Sequence, residues 1–547
     1  MTLKDLINSI SKKEWRFVIL LCIVMILITG LPYVYAYLNA PAGYFYNGIH
    51  SLTPGDSFVY FSYINQIKAG HWQLRDYFTS EAQPHGLLNF FWLEVGLFAR
   101  IFNLPADLAF QLFRLLLIPI FFIVIYLFIS YFFSDVNKRK WALIFICFSS
   151  GIGAYFIGLL DKLFPFDPEA LVYKWPVDLW MPEANIFLTL YQTPHFICSL
   201  ILLVSIFFLM LLALENNNYW YSFFAGLIGL YWFNFHPFYA PYVFAILFFY
   251  LLFLVLKTKK IKLIGHYLLM VILSLPFIFY HYYKIKTDLV IGIRASQNLL
   301  PSSPFIFVFL GFGLLLVFAV ISLGYLLKNK LLFANNKYFF LVIWLIVGFV
   351  LAYSPIFYQR RFLQGLQIPM VFLTIILLFV ARPFLEKYKI WGNKVLLIFL
   401  FIILFCFSTV FNLVRDLYYY QIKLDKFYLP SEYKESTKWL TQNNKNDKII
   451  LSYELNSQFI PGFVNQKVYL AHGIETIFYQ KKREKVLIFF ANGYNESQAK
   501  DFLKTNNIGY VFFTDLERKY AQFKPAENDY LKKVYSQGQI EIYEVIN

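Results

Sequence analysis

The chain has 547 residues, of which 59% are hydrophobic and 22% aromatic, while only 15% are charged. That balance lies far outside the range of soluble globular domains and marks an integral membrane protein. The formal net charge of +16 would suit nucleic acid, but the lysines and arginines stand in short clusters between apolar runs, a topology signal that leaves nucleic acid out.

Lys4, Lys12, Lys13 and Arg16 precede an apolar run from about 17 to 37, long enough to cross the roughly 30 Å hydrocarbon core. Ala36 and Ala40 would suit a signal-peptide cleavage site, yet the run exceeds an ordinary h-region, so it is read as an uncleaved anchor. Further spans are predicted at about 108–132, 141–160, 186–214, 220–235, 238–256, 262–281, 304–327, 338–353, 362–381 and 394–414, which makes about eleven. The run from 87 to 103 is interrupted by Glu94 and Arg100 and is placed on the outer surface. The lysine clusters at 138–140, 257–262, 328–337 and 382–394 then face the cytoplasm, with the N-terminus inside and the C-terminus outside. All four cysteines (Cys22, Cys147, Cys198, Cys406) fall in apolar runs, so no disulfide framework or zinc spacing is present.

The first outer loop, 38–107, carries Asp56 soon after the first span. Behind it Tyr60, Phe61, Ile64 and Ile67 fall on one side of a helical pattern, with Ser62, Asn65, Gln66 and Lys68 elsewhere, which suits a helix lying on a bilayer. Asp56 is read as a reactive carboxylate or as the cap of that helix, two compatible roles. His85 follows in the same loop, and His195, His236 and His281 stand near predicted outer ends; alone, each suits a packed, hydrogen-bonded residue as well as a ligand contact. Arg114 is a charge deep in a span, fit either to neutralise a phosphate or to pair with Asp107 or a loop carboxylate.

The second outer loop, about 161–185, holds Asp161, Asp167, Glu169, Asp178 and Glu183. Carboxylates there admit a divalent cation, but no DxD pair is present, and Glu183, just before the next span, is kept as the candidate. In QRRFLQGLQIP, Arg360 and Arg361 stand at an outer span mouth; a helix starting there would align Arg360, Gln364 and Gln367 as one polar stripe. Paired guanidinium forks suit a phosphate at headgroup level, and snorkelling arginines bound to ordinary lipid are the plain alternative.

After about 415 the composition turns polar. Strand-like KIILSYE, KVYLAHG, GYVFFTD and QIEIYEV alternate with helix-like SEYKESTKWLTQN, TIFYQKKREKVLIFFA and ESQAKDFLKTNN, which predicts a small α/β domain over 416–547 on the outer face. It has no Gly-rich phosphate loop and no nucleophile elbow.

The anchor, the outer loop with Gly55-Asp56-Ser57, the surface helix, the span opening Phe113-Arg114-Leu115, the many later spans and the outer α/β domain together resemble the GT-C glycosyltransferase superfamily. The layout is similar to protein O-mannosyltransferases and the lipid A aminoarabinose transferase. The resemblance implies a GT-C-like polytopic α-helical domain over 1–415 in the plasma membrane. It also implies an inverting transferase that moves a sugar from a polyprenyl-phosphate donor to a hydroxyl of a glycan, lipid or protein. Asp56 would be the base, with Arg360, Arg361, Gln364, Arg114, Glu183 and His85 toward the substrate and no certain cofactor beyond a candidate divalent cation. A transporter or flippase of a lipid-linked substrate is the competing class, though its spans should carry more ionisable groups. A non-catalytic envelope scaffold on the same layout is the third.

Overall fold

The computed structural model describes residues 2–52, 54–165, 172–389, 392–520 and 523–546. Asp167 and Glu169 of the second outer loop lie outside them. The chain is mostly helical and divides into two compact units.

The first unit comprises Met1–Pro32, Phe113–His281 and Leu299–Tyr418. Among the described residues, six helices are long and apolar enough to cross a membrane: Lys12–Leu38, Ala106–Phe132, Pro194–Asn216, Pro237–Thr258, Gln359–Val380 and Val395–Gln421. Three bent helix pairs raise the number to nine. Asn336–Ala352 and Tyr219–Phe235, both read as spans in the sequence, have 17 residues each. At 1.5 Å per residue that is about 26 Å, short of a 30 Å core.

Several expected spans are not straight rods, and the breaks have residue-level causes. Pro276 follows Leu263–Ser274 and bends it by 40° against Pro276–Thr287, because proline supplies no N–H to the preceding turn. Phe305–Phe312 and Leu314–Lys328 meet at 87° around Gly313, whose φ of +51° is left-handed. A Cβ at Gly313 would lie 2.9 Å from Ile152 N, so glycine meets two demands there. Near the start of the chain, Glu14 and Arg139 form a buried ion pair at 3.1 Å, and Tyr126 Oη donates to Glu14 at 2.9 Å. Arg139, read as part of a cytoplasm-facing lysine cluster, is thus a packed residue.

The second unit comprises Tyr33–Leu112, Tyr282–Asn298 and Tyr419–Asn547. Tyr44–Tyr46 pairs antiparallel with Tyr428–Pro430, joining residues from the first outer loop to the start of the polar C-terminal segment. A four-stranded sheet runs in the order Ile449–Leu451, Ile508–Phe513, Ile540–Val545, Leu531–Gln537, with the first pair parallel and the others antiparallel. Its core joins Leu451, Val511 and Tyr543 to Val486, Phe489, Phe502 and Leu503 of the helices Tyr479–Phe490 and Glu496–Thr505. KVYLAHG, expected as a strand, contributes one bridge, Val468 to Ile450, and then turns. Leu531–Gln537, absent from the expected strands, occupies the sheet edge.

The helix behind Asp56 runs Pro54–Lys68 and is enclosed, which corrects the reading of a one-sided surface helix. Phe58, Phe61, Ile64 and Ile67 are buried, but so are Ser62 and Gln66. Gln66 accepts the Arg75 N–H at 2.8 Å and donates to the Arg75 carbonyl at 2.9 Å, which satisfies an amide that would be costly to bury alone. Phe90–Ile101 packs alongside: Tyr60 stacks on Trp92 at 4.8 Å, and a Cβ on Gly96 would lie 2.3 Å from Ile67 Cβ. At twelve residues that helix is too short to cross a bilayer.

Candidate functional site

Each unit holds a cluster of chemistry-bearing residues. In the second unit Asp56 is the third residue of its helix, inside the first turn rather than at the cap, where a carboxylate gains from the helix dipole. Its side chain is 43% exposed and meets His472 Nε2 at 3.2 Å. Gly55 makes the approach feasible, since a Cβ there would lie 3.0 Å from His472 Cδ2. The other ring nitrogen, Nδ1, accepts the backbone N–H groups of Ile474 and Glu475, both at 3.3 Å. An acceptor at Nδ1 puts the proton of the neutral ring on Nε2, so His472 donates to Asp56.

Burial pushes the His472 imidazole down, while its hydrogen bond to Asp56 and the charges of Asp56, Glu475 and Asp76 push it up, and the balance lies above the ordinary histidine value. The two N–H groups aimed at Nδ1 place the proton of the neutral ring on Nε2, and Nε2–H donates to Asp56 whether the ring is neutral or charged. The turn carrying His472 is pinned from several sides. Thr476 Oγ1 accepts the N–H groups of Ala471 and His472 and donates to the Phe78 carbonyl at 2.6 Å. Gln297 Nε2 donates to the carbonyls of Ile474 and Thr476.

Arg294 binds Glu475 at 2.7 Å and Tyr63 Oη at 3.1 Å, and stands 4.0 Å from Asp76 Oδ2. Asp76 is buried; its Oδ1 accepts the Phe78 N–H at 2.8 Å. Burial and the neighbouring Glu475 charge push the Asp76 carboxyl up to about 8, against the pull of Arg294, so it is largely protonated at neutral pH. His85, expected to face substrate, is exposed on the loop closed by the Leu74–Leu87 bridge.

In the first unit Glu183 is buried, and its Oε1 forms a close ion pair with Arg361 Nη1. The Arg361 guanidinium lies over the rings of Phe196 and Phe238, at 5.0 and 5.3 Å, and Arg360 lies 5.3 Å from the Trp180 ring. His195 and His236 stand 5.4 Å apart, Ser199 Oγ meets His236 Nδ1 at 2.5 Å, and His281 Nε2 meets the Asn234 carbonyl at 2.7 Å.

The helical stripe expected from Arg360 through Gln364 to Gln367 does not form. Gln359–Leu363 is a 3-10 turn, Gln364 is extended, Gly365 has φ +75°, and the helix begins at Gln367. Gln364 Nε2 donates to the Phe196 carbonyl at 3.3 Å, and its own carbonyl accepts Tyr242 Oη at 3.0 Å. Gln367 ties Ile186 N to Ser149. Arg114 is wholly buried and donates to the carbonyls of Leu190 at 2.8 Å and Thr29 at 3.1 Å. Asp107, one of its expected partners, accepts Tyr37 Oη at 2.5 Å.

No protein-family model matches the chain, and no curated protein matches it in sequence. Solved structures do. The apo oligosaccharyltransferase of Archaeoglobus fulgidus is similar over 92% of this chain and 70% of that one, at 14% identity and a TM-score of 0.52. The same enzyme tethered by a disulfide to an acceptor peptide with the NVT sequon matches over 92% and 69%, at 14% identity and a TM-score of 0.50. The chain has the GT-C fold. Likeness at that identity establishes architecture alone, so what the protein does rests on its own residues.

Sequence reasoning singled out Asp56, Glu183 and Arg361 as candidates and did not single out their neighbours in the two clusters, His472, Asp76, Glu475, Arg294 and Tyr63 among them. KVYLAHG was visible as a segment, yet nothing local signals that His472 meets a residue so far away in the chain. Among the described residues no group of three or more His, Cys, Asp or Glu side chains is arranged to hold a metal ion.

Proposed function

We propose that the protein is a membrane glycosyltransferase that moves a sugar from a polyprenyl-phosphate donor to a hydroxyl acceptor at the extracytoplasmic face of the plasma membrane. The observation that carries this is the Asp56 carboxylate, half-exposed on a GT-C fold and held by the Nε2–H of His472. A single imidazole N–H fixes the aim of a carboxylate at a smaller cost in basicity than a guanidinium pair would.

Asp56 takes the acceptor O–H proton as that oxygen attacks the anomeric carbon from the face opposite the phosphate. The C1–O bond to phosphate breaks, the electron pair leaves on the phosphate oxygen, and the sugar inverts. For donor binding, the guanidinium forks of Arg360 and Arg361 are the proposed phosphate ligands. Glu183 takes one of the five N–H donors of Arg361 and fixes the guanidinium between its two rings. Of the other expected contacts, His85 is exposed, while Arg114 and Gln364 are buried against backbone carbonyls and no step uses them. No step is routed through a cation. The same reading has about eleven spans, a cytoplasmic N-terminus and an extracytoplasmic 416–547 domain, which cysteine accessibility labelling tests.

The decisive assay uses protein in vesicles with radiolabelled undecaprenyl-phosphate sugars, reading loss of label from the donor. Turnover should fall at least about a hundredfold in Asp56→Asn. Undiminished turnover in that variant removes Asp56 from the mechanism, and donor movement across the bilayer without bond cleavage replaces the transferase with a carrier.

A further inference from the structure

We infer that His472, from the C-terminal segment, is the positioning residue for Asp56: its Nε2–H, fixed by the backbone donors on Nδ1, holds the carboxylate in its reactive orientation. The inference rests on the reading of Asp56 as the base and adds a residue to it. Three features converge on the ring. Nδ1 is saturated by Ile474 and Glu475 N–H, which leaves only Nε2 to donate. Gly55 removes the side chain that would block contact. The supporting turn is itself tied down through Thr476, Gln297 and the Arg294–Glu475 pair, so the ring has little freedom to swing away.

The arrangement gives the C-terminal α/β segment a task beyond acceptor binding or packing. A hydrogen bond donated to a carboxylate favours its ionised form, so His472 sets both where Asp56 points and the acidity at which it stops working. His472 does not contact the reacting atoms in this scheme and acts through Asp56 alone.

Two variants separate this role from a structural one. His472→Asn keeps an acceptor where Nδ1 stands, so the turn persists, but loses the donor at Nε2. His472→Gln carries an amide N–H out to the Nε2 position. In the vesicle assay with undecaprenyl-phosphate sugar, His472→Asn should lower kcat at least tenfold, leave KM for the donor within twofold, and move the acid limb of the rate profile to higher pH. His472→Gln should keep both kcat and acid limb near wild type. Wild-type kcat and acid limb in His472→Asn, or equal losses in both variants, overturn the inference. If either occurs while Asp56→Asn is inactive, the base assignment stands without His472; if Asp56→Asn is active, the base assignment itself has failed.

Discussion

The two clusters treat a carboxylate in opposite ways. Glu183 is nearly buried and neutralised by Arg361, whose ring neighbours restrict it further, whereas Asp56 is half-exposed and meets an imidazole that carries its one proton toward it. A permanent cation beside a buried acid compensates its charge and engages its oxygen in an ion pair. Placing an acid beside a single N–H donor orients it at a smaller cost in basicity. On the proposed reading the contrast gives Glu183 the task of holding an arginine and Asp56 that of accepting a proton, from surroundings rather than from residue type.

The largest effect should come from exchanging the two carboxylates for amides. Asp56→Asn is expected to cut turnover at least about a hundredfold, while Glu183→Gln, which can still accept from Arg361, should cost under tenfold. A reversed order in the same assay would break the contrast. Next, Arg361→Ala strands the Glu183 carboxylate in a buried setting and should cost ~3 kcal/mol in stability. Adding Glu183→Gln should recover part of that loss, as a double-variant cycle in thermal or denaturant unfolding would show. Additive losses would mean that the pair is uncoupled.

A smaller effect sharpens the account of Asp76. Its carboxyl is pushed up to about 8 in the folded protein, mainly by burial and by Glu475, and returns to the ordinary carboxylate range on unfolding. Between those values the folded state binds more protons, so stability is present at low pH and is lost as pH rises through about 8. Relative to wild type, Asp76→Asn should therefore gain stability steadily as pH rises from about 4 to about 8, by at least ~1 kcal/mol between pH 5 and pH 8.5. No divergence between the two melting curves would put the proton elsewhere. The smallest expected change is at Arg382, whose exposed pair with Glu386 is one helical turn away. Arg382→Gln should shift stability by under ~0.5 kcal/mol.

What the sequence made legible follows from how local each signal is. Apolar runs and the carboxylate after the first span are local, and both lead to the GT-C layout and to Asp56. The Gln364–Gln367 stripe failed because helical spacing was extended back across Gly365, whose positive φ ends any such register. Leu531–Gln537 escaped because LKKVYSQ carries lysines where an alternating pattern expects buried residues, which is how an edge strand protects itself. Gln66 looked solvent-facing because nothing in its neighbours announces the Arg75 backbone that satisfies it. His472 was invisible for a simpler reason: its meeting with Asp56 is a long-range event that no window of residues contains.

That distance matters during biosynthesis. About 400 residues separate Gly55 and Asp56 from His472, so at 5–20 residues per second a ribosome needs roughly 20–80 s after making the acid before it can supply the ring. Through that interval the inserted N-terminal helices hold an unaimed carboxylate. A half-made chain would therefore carry Asp56 without its aiming partner, and only completion of the C-terminal segment would bring the two together.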